Sequence, residues 1–106
     1  MDIVSAISKL HDMIMDNYDM IWQEDWYDFC EIAEKLCDDC YHLVPAPIVQ
    51  KHAQKLLFVL DEGGDSPSQE EWFNICDAVS ELANALYMKN ILDKDFFEVK
   101  YAALYQ

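Results

Sequence analysis

The chain is predicted to be all-α: a compact bundle of two tandem helix hairpins closed by a C-terminal helix. Three observations predict it. Only two Gly and three Pro occur in 106 residues, too little punctuation for the many turns of a β fold. Apolar residues recur three and four apart, which places them on one helix face. And the stretch Glu24-Asp25-Trp26-Tyr27-Asp28-Phe29-Cys30 returns 46 positions later as Glu70-Glu71-Trp72-Phe73-Asn74-Ile75-Cys76. At the same offset Lys9, Leu10, Asp19, Gln23, Leu36 and Tyr41 meet Lys55, Leu56, Asp65, Gln69, Leu82 and Tyr87. Length implies one domain, residues 1–106, with repeat units at about 2–43 and 48–89 and a last helix at about 93–105. Two units are too few for a solenoid, so a bundle is expected.

The first helix is read at 2–16, with Ile3, Ile7, Leu10 and Ile14 as its stripe and Asp2 as its N-cap. Residues 17–23 form a turn whose apolar members pack in part. A second helix, 24–43, carries Trp26, Phe29, Cys30, Ala33, Leu36, Cys37 and Cys40 on one side. Pro45-Ala46-Pro47 interrupts it, and Pro47 suits the first turn of a third helix at 47–62. Gly63-Gly64 ends that helix, with Gly in the left-handed cap position. Ser66 as N-cap, Pro67 at the first helical position and Gln69 three after the serine predict a capping box for a fourth helix at 67–89. Its stripe of Trp72, Ile75, Cys76, Val79, Leu82, Ala83 and Leu86 repeats that of the second helix. Asn90 is the expected C-cap. Asp93 would cap a fifth helix at about 94–104 with Phe97, Tyr101 and Leu104 on one side.

No motif for chemistry stands out. His11, His42 and His52 are isolated, and no nucleophile elbow or phosphate loop is present, so an enzyme is not expected. Cys37-x2-Cys40-x-His42 has spacing that could share a metal, but Cys30 and Cys76 hold matching stripe positions and Cys37 matches Ala83, the pattern of small core residues. Asp61 to Ser66 resembles a calcium loop only briefly, because the twelfth position is Trp72 instead of a bidentate Glu. No cofactor or metal is expected. The opening residues lack a basic region followed by an apolar run, which predicts a cytoplasmic protein with free thiols.

Charge is the functional lead. Twenty-one acids face seven lysines and no Arg, for a net of −14. Such a chain repels nucleic acid and anionic membranes, and attracts basic proteins. The acids are uneven: residues 2–43 carry a net −9, residues 48–89 a net −4. Aromatics lie among the carboxylates of the first unit and suit the role of anchors. The candidate partner-binding residues are therefore Asp16, Tyr18, Asp19, Trp22, Glu24, Asp25, Asp28, Asp38 and Asp39. Their expected partner is a basic nuclease, toxin or nucleic-acid-binding complex, which the chain would inhibit. In size, charge and helicity the chain is similar to immunity proteins against nuclease toxins and to phage inhibitors such as anti-CRISPR proteins. A second expectation is a helical adaptor that takes a peptide or helix in an apolar groove, lined or closed by Phe96, Phe97, Tyr101 and Tyr105. A third is a metal or redox module at Cys37 and Cys40. A homodimer, closing an apolar groove with a second copy, is also compatible.

Overall fold

A computed structural model describes residues 2–89. Four helices occupy them, α1 (Ile3–Asp16), α2 (Gln23–Leu43), α3 (Pro47–Gly63) and α4 (Gln69–Met88), and no strand occurs among the described residues. The expected fifth helix, with Asp93 and Phe97, and the Asn90 cap lie outside the described residues. So do the tail aromatics of the adaptor expectation.

Several helix ends have a local cause. Asp2 caps α1, its Oδ1 accepting the Ser5 N–H at 2.7 Å. Pro47 opens α3, where the missing N–H is no loss. Gly63 is the last residue of α3, and Gly64 follows at φ 56°, ψ −131°. That conformation is the mirror of extended backbone, open to Gly alone, so the turn differs from the left-handed cap that was expected.

The start of α4 corrects the sequence reading by two residues. Ser68, not Ser66, is the N-cap: its Oγ accepts the Glu71 N–H at 3.2 Å, and Glu71 Oε1 accepts the Ser68 N–H at 2.8 Å. The carboxylate decides between the two serines. It makes a charge-assisted bond beside the positive end of the helix dipole, which the amide of Gln69 cannot match. Pro67 then falls just outside the helix and is buried.

The helices pack in chain order, α1 on α2, α2 on α3 and α3 on α4, and α1 meets α4 more lightly. Trp26, Phe29 and Trp72, each about fully buried, meet at one end of the bundle. Trp26 stacks on Phe29 with centroids 6.1 Å apart, and Phe29 meets Trp72 edge-on at 5.1 Å. Burying rings of this size contributes a large part of the stability. Both indoles find acceptors across the bundle. Trp26 Nε1 donates to Gly64 O at 3.1 Å, and Trp72 Nε1 donates to Asn17 O at 3.0 Å. Gln23 Nε2 reaches Asp65 O at 2.8 Å, and Gln69 Nε2 reaches Asp19 O more loosely at 3.5 Å. The two end connections, 17–22 and 64–68, are thus tied by bonds running both ways.

Gly63 is small for a reason that packing supplies. A Cβ there would stand 3.0 Å from Trp26 Cζ2 and 3.1 Å from Cη2. The indole lies directly on the end of α3.

Candidate partner-binding surface

The connection from α1 to α2 hangs on Asn17. Its side chain is buried, with Nδ2 donating to Met13 O at 2.8 Å and Asp25 Oδ2 at 3.4 Å. Its Oδ1 accepts the Trp22 N–H at 3.2 Å. Sequence reasoning did not single out Asn17, because three of its partners lie at positions that no periodicity links.

Ile21 is buried in the core, and with Asn17 holding the backbone Tyr18 and Trp22 face water. Trp22 is 69% exposed and Tyr18 is 66% exposed. Tyr27, one turn into α2, is also exposed. Trp22 occupies the N-cap position of α2 and makes no side-chain cap bond there. An exposed Trp at that position serves neither helix nor core.

Asn17 also lines a depression of about 360 Å³ framed by α1 and α2. Asp16, Asp25, Asp28 and Glu31 line it with Lys9. Glu31 is an addition to the predicted set, and its signal was the spacing of three from Asp25 to Asp28 to Glu31, which keeps successive carboxylates on adjoining parts of one face. Asp19 and Glu24 stand exposed near the aromatics in sequence. The structure therefore gathers Asp16, Asp25 and Asp28, and places Tyr18, Asp19, Trp22 and Glu24 in the adjoining connection and first turn.

Asp38 and Asp39 lie apart. Eleven residues of helix separate Asp28 from Asp39, about 16 Å. Asp39 is mostly covered and bound to Lys35 at 2.9 Å, and Asp38 pairs with His42 at 3.3 Å. Asp38 also lines the α2–α3 side of the molecule, away from the depression.

That other side holds two adjoining hollows of about 530 and 440 Å³. They share Glu34, Gln54 and Leu57, so they run together as one groove.

The thiols sit in or near the core. Cys37 and Cys40 are fully buried, and Cys30 and Cys76 are half-buried. Burial pushes the Cys37, Cys40 and Cys76 thiols up to about 12 and Cys30 to about 11, with smaller pushes from nearby acidic groups. Such thiols are weak nucleophiles at neutral pH. His42 stands exposed beside Asp38. Among the described residues no group of three His, Cys, Asp or Glu could hold a metal ion. His52 is partly buried, with Nδ1 3.6 Å from Glu81 Oε2, and Lys55 Nζ binds the same oxygen at 2.8 Å, joining α3 to α4.

No helix among the described residues is long and apolar enough to cross a membrane. Compared with known proteins, the chain matches no family model, no curated protein and no solved structure.

Proposed function

We propose that this chain is a small acidic inhibitor that binds a basic, nucleic-acid-handling protein through the face formed by α1, the 17–22 connection and the start of α2. One observation carries the reading: Trp22, 69% exposed, fills a capping position without a side-chain cap bond, and its N–H is held by Asn17, which lines the acidic depression. A Trp free of structural duty is the usual hot-spot residue of an interface. Asp16, Asp25, Asp28 and Glu31 of that depression supply the field that steers a basic surface in, and between Lys9 and Lys35 the sequence has no Lys or Arg to oppose them. Asp38 and Asp39 fall outside this interface and are left to local pairing. The chain acts by occupying a surface that otherwise meets nucleic acid, and performs no catalysis.

The same reading treats the molecule as a tandem duplication of one helix hairpin. The indole and glutamine bonds support it, since Trp26 and Trp72, Gln23 and Gln69, and Asp19 and Asp65 all stand 46 apart.

The test is capture of a partner by the tagged protein from a lysate, with elution in rising salt, followed by association kinetics with the purified partner. A basic nucleic-acid-handling protein released by salt is expected. Asp25→Lys with Asp28→Lys should slow its association by about tenfold or more and flatten the salt dependence. A neutral or acidic partner that survives high salt, or an unchanged association rate, would overturn the reading.

A further inference from the structure

We propose that the groove between α2 and α3 is a second docking surface, and that its occupant is an amphipathic helix with an apolar stripe and basic flanks. The proposal stands apart from the acidic face and does not rest on it. The groove runs along α2 from Cys30 to Tyr41, about 16 Å, the length of some three turns of a docked helix. Apolar side chains are left open along it: Tyr41 is 45% exposed, Leu57 40% and Phe58 66%. A Phe at two-thirds exposure beside an exposed Leu on one helix is surface that water covers at a cost, and helix-in-groove recognition uses such anchors.

Charge selects the occupant. Among the described residues the lining includes three carboxylates, Glu34, Asp38 and Asp61, and no Lys or Arg. Glu34 and Asp38 lie on α2 and Asp61 on α3, so an entering helix meets acid on both walls. A second copy of this chain would bring another −14 to that site, which disfavours self-pairing. Lys or Arg on the flanks of an incoming helix would instead complement both walls, while Leu-type residues on its inner stripe cover Leu57 and Phe58.

The experiment uses the full chain, labelled with ¹⁵N, and a synthetic 14-residue peptide of Leu and Lys whose leucines follow helical spacing. A peptide of the same composition in scrambled order is the control for plain charge attraction. The patterned peptide is expected to shift amide signals of Gln54, Leu57, Phe58 and Asp61, and to bind at least tenfold more tightly than the scrambled one. Phe58→Glu should weaken it by about tenfold or more, since an interface anchor is lost. Phe58 is exposed, so this variant keeps the fold, which circular dichroism checks. Asp25→Lys with Asp28→Lys should leave the groove shifts in place. Equal binding of the two peptides, shifts confined to the α1–α2 face, or self-association abolished by Phe58→Glu would each overturn the proposal. Failure here leaves the acidic-face reading intact, because that reading is read out by different variants.

Discussion

Residues 22 and 68 hold the same place 46 positions apart, and they behave in opposite ways. Ser68 caps α4 in a full capping box with Glu71. Trp22 stands at the head of α2, exposed and without a cap bond, while Asp25, in the place of Glu71, accepts from Asn17. A capping Ser is worth about 1 kcal/mol over a residue that cannot cap. The second half takes that stabilisation and the first half forgoes it. The same contrast extends outward: Tyr18 matches Gly64, Asp28 matches Asn74, and Asp38 matches Asn84. Trp26 and Trp72, Leu10 and Leu56, and Leu36 and Leu82 are identical buried pairs, whereas the exposed side is mixed: Asp19, Gln23 and Glu24 match Asp65, Gln69 and Glu70, and Tyr18, Trp22, Asp28 and Asp38 have no like counterpart. Packing constrains the inner residues most, so the outer ones are where the two halves can differ.

The comparison can be broken at several points. The largest effect belongs to the shared interior. Trp26→Ala and Trp72→Ala should each cost about 3–5 kcal/mol, read as the urea midpoint. Similar losses are expected because both rings are buried and both indoles are bonded across the bundle. A loss below about 1 kcal/mol for either would show that the two halves do not share one core.

Asn17→Gly gives the first half the residue that stands 46 positions on, Gly63 at the end of α3. It removes the bonds to Met13 O and Asp25 and leaves the Trp22 N–H without its acceptor. A loss of about 2–3 kcal/mol is expected, read by thermal unfolding. Asn17 then counts as the specific support of the first connection.

Next comes the cap itself. Ser68→Ala should cost about 1 kcal/mol, whereas Trp22→Ser should stabilise by up to about 1 kcal/mol. The same Trp22→Ser change should weaken the captured partner by about tenfold or more. A variant that gains stability and loses binding marks Trp22 as kept for contact. A variant that loses stability without affecting the partner would return Trp22 to a structural role.

The smallest effect concerns alkaline pH. Cys37 is raised from 9.0 to about 12 by burial, and its counterpart at 83 is Ala. A thiol with a raised folded value holds its proton more tightly when folded. Its contribution is therefore complete below pH 9.0 and is lost as pH climbs toward about 12. Cys37→Ala should flatten the fall of stability between pH 9 and 11 relative to the parent chain, measured by denaturant midpoints. An unchanged slope would assign that fall to other groups.

Much of the fold was legible beforehand. Of the two stripes Ile3, Ile7, Leu10, Ile14 and Trp72, Ile75, Cys76, Val79, Leu82, Ala83, Leu86, all are buried as helical spacing required except Ile3 and Cys76, which are part-buried. Asp2 caps and Pro47 opens a helix as expected. Ser66 with Gln69 is not the cap, because a second, overlapping pattern of Ser68 with Glu71 lies two residues on and has the better electrostatics. The acidic set was legible as a list of residues, and its division was not. Asp25 and Asp38 sit on one helix, and which neighbour each faces depends on where α1 and α3 pack.

Periodicity, capping residues and net charge are local or additive properties, so the linear chain already carried the helices, their inner faces and the acidic character. Contacts between distant residues are neither. The indole of Trp72 on Asn17 O, the ring of Trp26 over Gly63, the gathering of Asp16 with Asp28 and Glu31, and the open groove beside Phe58 all arise from how whole helices pack. Each depends on pairs far apart in sequence, and only the folded arrangement brings them within a few ångströms.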